Sequence, residues 1–362
     1  MRSKNKRRYA QAELEGLGLR IFCKMKKHKL GTTELLVSEA GFGVLALGEN
    51  HGALSEEEGA ELLLYGLKRG IDFFDTAQYY NEYPLIRRFL DLAGDAGYER
   101  KDIVICSKSL ASDYDGMTDA VDEALREMRL EYIDIFLMHE VRTGQIEERF
   151  GAWAALKDAK ASGKVKAIGM STHHVDTAEA CAGMTECDCV FALLNIEGMG
   201  IRKYEEGGSG TDLPGYWLPD RAGTREEMEE ALKLCESAGK GVFTMKALGG
   251  GNLISGYREA LDYAFSRPFT DCVMLGMSRK QEVDDLLDYL GGTQAADYTP
   301  DASMKTLKVN HEDCVGCGSC MKACSSGAIS YGEDGLAVID KNKCIDCGYC
   351  AYACPVRAII RV

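Results

Sequence analysis

Two cysteine runs near the carboxyl end, Cys314, Cys317, Cys320, Cys324 and Cys344, Cys347, Cys350, Cys354, repeat the spacing C-x2-C-x2-C-x3-C in register. Three thiolates two residues apart wrap one face of a [4Fe–4S] cube, and the fourth lies too far along the chain to close the same cube. The spacing therefore predicts crossed ligation. Cys314, Cys317, Cys320 and Cys354 hold one cluster, and Cys344, Cys347, Cys350 and Cys324 hold the second. A structural zinc site also uses C-x2-C pairs, but it takes its four ligands from two separated pairs and does not require a third cysteine at the same spacing in each run.

A second set of reactive residue types sits further upstream. Asp75 and Tyr80 lie in Asp-Thr-Ala-Gln-Tyr-Tyr, Lys108 follows an apolar run, and His139 closes Tyr-Ile-Asp-Ile-Phe-Leu-Met-His. Hydride addition to a carbonyl builds negative charge on oxygen, so a proton donor must stand beside it. A phenol, with an ordinary pKa of about 10, holds its proton at neutral pH but gives it up reluctantly. A lysine cation favours the phenolate, and an aspartate keeps that lysine charged and in place. Taken singly, each has a structural reading: an Asp–Lys pair that satisfies itself, and a histidine that is hydrogen-bonded scaffold.

The elements that must position these residues are legible as repeated βα units. Eight short apolar strands are expected at 41–45, 71–75, 103–107, 133–139, 165–171, 190–195, 241–246 and 272–276. Ser55 with Glu58 and Thr224 with Glu227 form capping boxes, and Gly70 and Gly239 suit helix stops. Eight such units predict an α/β fold, a (β/α)8 barrel, in which functional residues gather at the carboxyl ends of the strands. Asp75, Lys108 and His139 end strands two, three and four. The polar stretch 291–306 reads as a linker to a small α+β cluster domain at 307–362, and 1–28 as an N-terminal extension. Residues 197–223, rich in glycine with Tyr204, Tyr216 and Trp217, are too long for an ordinary loop and are expected over the barrel mouth.

Residues 29–290 resemble the aldo-keto reductase family, which carries Asp, Tyr, Lys and His in this order at these strand ends; Lys29-Leu30-Gly31, Gly163-Lys164-Val165 and Ser171 match as well. The resemblance implies that Tyr80 is the acid, Lys108 tunes it, Asp75 anchors Lys108 and His139 orients the carbonyl oxygen. It also implies NADPH as cofactor, with NADH the alternative. The family commonly holds the nicotinamide carboxamide with Ser-Asn after strand five and a glutamine on strand six. Here those positions read Ser171-Thr172 and Phe191, with Asn195 nearby, and phenylalanine can make no such hydrogen bond. Gly276-Met277-Ser278-Arg279-Lys280 resembles the family's phosphate-binding turn, where Arg279 and Lys280 suit a 2′-phosphate. Residues 307–362 resemble bacterial-type two-cluster ferredoxins, down to the tails Gly327-Ala328-Ile329 and Arg357-Ala358-Ile359. The second run ends Cys354-Pro355 as in that family, whereas the first reads Cys324-Ser325 and lacks proline's fixed φ.

Composition sets the remaining bounds. A net charge of −14 argues against nucleic-acid and anionic-membrane partners, and no apolar run approaches a membrane span. Of 15 cysteines, eight lie in the two runs. Cys106, Cys181, Cys189, Cys235 and Cys272 fall in apolar stretches as small core residues, and Cys187 and Cys189 flank Asp188 as a weak metal signal. A reduced, cytoplasmic protein is expected. The reading is an oxidoreductase that reduces an aldehyde or ketone, or oxidises the alcohol, fused to an iron–sulfur electron-transfer module. Nicotinamide passes two electrons together and a cluster takes one, so the fusion poses a question of electron flow. Two alternatives remain: an electron-transfer module serving a redox partner protein from a repurposed barrel, or clusters that are structural or serve docking.

Overall fold

The computed structural model describes residues 25–48, 54–142, 144–205, 220–301, 306–311, 314–344, 348–356 and 358–361. The extension 1–24, Tyr216, Trp217 and Cys347 of the second cysteine run lie outside them.

Eight parallel strands close a barrel: β3 (Ala40–Gly43), β4 (Phe73–Asp75), β5 (Val104–Ser109), β6 (Ile133–Met138), β7 (Val165–Thr172), β8 (Cys189–Leu193), β11 (Gly241–Met245) and β12 (Cys272–Gly276). Their side chains alternate between two cores, as the strand period of two requires. Phe73, Ile135 and Leu137 fill the barrel interior. Phe74, Phe136 and Met138 face the surrounding helices. Parallel strands covered on both sides read as continuous apolar runs, which is why all eight were legible in the sequence. The first expected strand runs short, because the chain turns into a 3-10 turn at Val44–Ala46. At Gly169 the barrel wall has no room for a side chain, since a Cβ there would lie 2.0 Å from the carbonyl oxygen of Cys189.

The expected helix ends are in place. Both capping boxes form, Ser55 with Glu58 on helix Glu56–Leu67 and Thr224 with Glu227 on helix Arg225–Ser237. A hairpin not foreseen from the sequence, β1 (Lys27–Lys29) with β2 (Leu36–Ser38), closes the amino-terminal end of the barrel. It inserts Leu30, Leu35 and Val37 into the interior core. At its tip Gly31, φ +52°, donates its amide to Asp271 at 3.2 Å. The long excursion after β8 is rooted by an antiparallel pair, β9 (Arg202–Tyr204) and β10 (Asp220–Ala222).

The C-terminal unit is two intertwined halves. β13 (Leu307–Val309) pairs with β16 (Ile359–Arg361), and β14 (Ile329–Tyr331) pairs with β15 (Ala337–Ile339), both antiparallel. Short helices Ser319–Ala323 and Tyr349–Ala353 each follow a left-handed glycine, Gly318 (φ +73°) and Gly348 (φ +79°), so the two copies share one local design. Among the described residues no helix is long and apolar enough to cross a membrane.

Candidate active site and cluster sites

The strand ends bring the four reactive residues together at the carboxyl face. Lys108, 1% exposed near the end of β5, donates from Nζ to Asp75 Oδ1 at 2.7 Å and to the Thr76 carbonyl at 2.7 Å. A 3-10 turn, Gln78–Tyr80, then swings the tyrosine back over this pair. The Lys108 ammonium lies 4.9 Å from the centre of the Tyr80 ring. The His139 ring meets Tyr80 edge-on at 5.6 Å. Arg149, buried and without any local sequence signal, holds the frame rigid. It donates to the carbonyls of His139 at 2.9 Å and of Ser109 at 3.1 Å, clipping together the ends of β5 and β6.

Electrostatics distinguish the four, beginning with Asp75, whose carboxyl pKa is raised by burial against the pull of Lys108. Burial opposes the Lys108 charge, but Asp75 and Tyr80 outweigh it and raise the ammonium's pKa, so Lys108 stays a cation. Burial lowers His139 well below 6.5, with Lys108, Arg149 and Lys246 adding to the effect, so its imidazole is neutral. Its Nδ1 is buried and has no hydrogen-bond partner among the described residues, leaving a polar atom for a ligand to meet. One expectation is corrected here. Burial pushes the Tyr80 phenol up to about 12 against the pull of Lys108, so the cation limits the rise rather than producing a net fall. Two non-glycine residues at this rim adopt left-handed backbone, Glu140 (φ +51°) after His139 and Lys246 (φ +60°) after β11. Strain of this kind concentrates at functional sites.

A cavity of about 250 Å³ opens beside this group, lined by Asp75, Tyr80, Phe191, Met245, Lys246 and the turn Gly276, Met277 and Ser278. Its walls are largely apolar. Phe191, at the position where the family commonly has a glutamine, stacks on Phe243 at 4.4 Å and 16°, and its ring centre lies 5.5 Å from Lys108 Nζ.

The residues expected to grip a nicotinamide nucleotide are committed elsewhere. The Ser171 hydroxyl accepts the Glu140 amide at 2.8 Å, holding that residue in its left-handed turn. The Thr172 hydroxyl donates to the Val141 carbonyl at 2.6 Å. The Asn195 amide closes a loop with the backbone of Met199, 2.9 Å in both directions. All three are buried, and the cavity lining does not include them. The phosphate turn fares similarly. The Ser278 amide donates to Glu282 Oε2 at 2.7 Å, so the chain's own carboxylate takes the anion position at the start of helix Lys280–Leu290. Arg279 donates to Glu282 at 3.2 Å and to the Asp301 carbonyl at 3.0 Å, and Lys280 turns outward, 5.5 Å from the Tyr65 ring centre. In this arrangement the carboxamide end of a nicotinamide does not fit, and the phosphate end requires Glu282 to withdraw.

The fold of the C-terminal unit draws the ends of the two cysteine runs toward each other. Pairing β13 with β16 returns the end of the second run to the start of the first, fixed by the Asn310 amide on the Ala358 carbonyl at 2.6 Å. Pairing β14 with β15 likewise brings the chain after Cys324 beside the chain before Cys344, with the Asp340 amide on the Ala328 carbonyl at 2.8 Å. Cys354 thus stands near Cys317 and Cys320 of the first run. Burial raises the Cys320 thiol, and the nearness of Cys354, Cys317 and Cys314 raises it further. Cys324 and Cys354, the last cysteine of each run, both sit in cradles of backbone amides. The Ser326 hydroxyl and the amides of residues 326–328 lower Cys324, the Ala328 amide at 3.3 Å. Amides of Ala358, Val356 and Ile359 face Cys354, although burial raises that thiol overall. Ser325 in place of proline therefore leaves the first cradle intact. Among the described residues no three His, Cys, Asp or Glu side chains, these cysteines included, converge in a geometry that would hold a single metal ion. Cys187 and Cys189 belong to the core, and Asp188 between them pairs with Lys160.

Comparison with known proteins agrees with both halves. Residues 39–260 match the aldo/keto reductase family and residues 307–362 match a 4Fe-4S dicluster domain. The chain is 23% identical over 292 residues to an L-galactose dehydrogenase of Arabidopsis thaliana, covering 72% of this chain and 87% of that protein. In fold it is similar to an aldo-keto reductase of Bacillus halodurans in its holo form, with a TM-score of 0.59 and 19% identity, covering 76% of this chain and 93% of that one. The chain belongs to the aldo/keto reductase family and carries, in the same polypeptide, a 4Fe-4S dicluster domain.

Proposed function

We propose that this oxidoreductase interconverts a carbonyl and an alcohol in the barrel cavity, with Tyr80 handling the proton. The observation that carries the reading is the cluster of a buried Lys108–Asp75 pair, the Tyr80 ring over it and a neutral His139 with an unpartnered ring nitrogen, all at the edge of an apolar cavity. In the reducing direction Tyr80 delivers its proton as charge develops on the carbonyl oxygen, and the nearby Lys108 cation stabilises the phenolate left behind. His139, neutral, can donate or accept one hydrogen bond to set the carbonyl's direction. Asp75 fixes Lys108 and balances its charge. A relative named L-galactose dehydrogenase supports the alcohol-oxidising direction equally.

NADPH, with NADH the alternative, is the electron carrier that family membership suggests; when bound it supplies hydride. Arg279 and Lys280 are the residues that would favour the 2′-phosphate, once Glu282 yields the turn. Because Ser171, Thr172 and Asn195 are engaged internally, no step is assigned to the nicotinamide ring. The dicluster domain supports a second electron route, to a one-electron redox partner protein. Two [4Fe–4S] clusters, held by Cys314, Cys317, Cys320, Cys354 and by Cys344, Cys347, Cys350, Cys324, would supply it.

The test is an anaerobic carbonyl and alcohol screen of the full chain, run with NADPH, with NADH and with dithionite-reduced protein, scored by product formation. Alcohol product from at least one donor is expected. A well-folded, cluster-loaded protein that yields no product across aldehydes, ketones and quinones with any donor would overturn the reading.

A further inference from the structure

The dicluster domain contributes a wall of the barrel cavity. Ile360 on β16 lines the same cavity as Asp75 and Tyr80, as do Pro300 and Asp301 from the segment between the two domains. β16 packs against the Gly249–Gly251 turn that follows β11, and a Cβ on Gly250 would lie 3.9 Å from Ile360 Cγ2. The second cysteine run makes the neighbouring contact. Gly348, between Cys347 and Cys350, abuts Asn252 so closely that a Cβ there would stand 3.2 Å from Asn252 Oδ1. That oxygen is buried without a hydrogen-bond partner among the described residues, while Asn252 Nδ2 donates to the Gly249 carbonyl at 2.8 Å. Gly348 of the second run thus lies against the turn that walls the cavity, and the side chains expected to hold a hydride carrier are spent on internal bonds.

We propose that the cluster held by Cys344, Cys347, Cys350 and Cys324 is the electron relay of the barrel cavity, reached across Gly348 and Asn252, and that it delivers electrons singly to a conjugated dicarbonyl bound there. This rests on the cavity being the site of carbonyl chemistry. An isolated ketone needs its two electrons together, whereas a quinone accepts them singly. The balance closes without a hydride: quinone plus two electrons plus two protons gives hydroquinone. The electrons come one from each reduced cluster, and an external one-electron donor refills them. The protons come from water, with Tyr80 passing one to the oxygen it faces. The largely apolar walls, with Phe191 and Ile360 among them, suit a flat conjugated ring.

The experiment uses the full chain, anaerobic and cluster-loaded, reduced with dithionite and desalted, then mixed rapidly with phenanthrenequinone. Cluster absorbance and the magnetic-resonance signal of each reduced cluster are followed. One quinone consumed per two clusters reoxidised is expected, and the signal of the second-run cluster should disappear first. Ile360→Trp, which fills the cavity from the dicluster side, should slow reoxidation by about tenfold or more. Its iron content and its oxidation by ferricyanide, a surface oxidant, should stay unchanged. Met245→Trp should act alike from the barrel side, which keeps the test decisive should Ile360→Trp disturb the cluster domain. Equal reoxidation rates in wild type and in Met245→Trp would mean that electrons leave over the surface and would overturn the proposal. Turnover of carbonyls by NADPH while the clusters stay oxidised would overturn the relay and leave the carbonyl reading standing.

Discussion

Replacing Lys108 with methionine should destabilise the barrel in a way that depends on pH. Methionine nearly matches the lysine stem in volume, so packing is largely kept, but Asp75 loses the ammonium 2.7 Å away inside a buried site. Leaving one partner of a buried pair costs about 3–5 kcal/mol. An upper bound follows from proton chemistry, because an isolated buried carboxylate takes up a proton rather than remain charged. Starting from an ordinary value of 3.8, neutralising Asp75 at pH 7 costs about 4 kcal/mol, at about 1.4 kcal/mol per unit. At pH 5 the same step costs only about 1.6 kcal/mol. The sign is that of a group whose folded pKa is raised above its unfolded one: the folded variant binds more protons, so its stability rises as pH falls. The lost hydrogen bond to the Thr76 carbonyl adds about 1 kcal/mol at either pH. Urea unfolding of the variant against wild type should therefore show a deficit of up to about 5 kcal/mol at pH 7 that narrows by up to about 2 kcal/mol at pH 5, since burial already raises Asp75 in part in the wild type, with unchanged slope. A deficit equal at both pH values would refute the reasoning, since it would mean that Asp75 does not carry the charge.

Other predictions follow from the same geometry. Carbonyl reduction should stay flat between pH 6 and pH 10, because His139 is held neutral well below 6.5 and Tyr80 keeps its proton until about 12. An inflection near pH 6.5 that disappears in His139→Gln would show a charged histidine instead. Glu282→Gln removes the carboxylate from the Ser278 amide and should tighten NADPH binding by about tenfold in a fluorescence titration, in line with the worth of a charge-assisted hydrogen bond. Unchanged affinity would mean that Glu282 does not compete for the turn. Cys324→Ser should lose the cluster held by Cys344, Cys347 and Cys350 and spare its sequence neighbour. Loss of the first-run cluster instead would overturn the crossed ligation.

Much of this was legible in the chain because the relevant signals are local. Strands buried on both faces announce themselves as apolar runs, and a strand end followed by Asp, Lys or His marks a barrel mouth. The spacing of the eight cysteines predicts crossed ligation, and the interleaved pairing of β13 with β16 and β14 with β15 leaves Cys354 near Cys317 and Cys320. What escaped is non-local. Glu282 reads as an ordinary first-turn helix acid until Ser278 is seen to bond it. Arg149 reads as a solvated charge until its guanidinium is found under the His139 and Ser109 carbonyls. Ser171, Thr172 and Asn195 have the polarity a cofactor site needs, and only the fold shows that the backbone has claimed it. The contact of Ile360 with Gly250 has no periodicity to betray it, and with it the placement of the cluster domain on the cavity was invisible. The rise of the Tyr80 pKa belongs here too, since a sequence lists the neighbouring cation but not the burial that opposes it.

The central claim is that carbonyl and alcohol interconvert in the barrel cavity with Tyr80 as proton donor, and the most direct measurement is the turnover of Tyr80→Phe under the donor and substrate that serve the wild type. Removing one hydroxyl leaves the ring, the cavity and the clusters in place, so iron content, unfolding midpoint and substrate affinity should match wild type. The turnover number should fall by about 10²-fold or more, the contribution expected of general-acid catalysis. Wild-type turnover in Tyr80→Phe would contradict the account and reduce the four residues at the strand ends to scaffold.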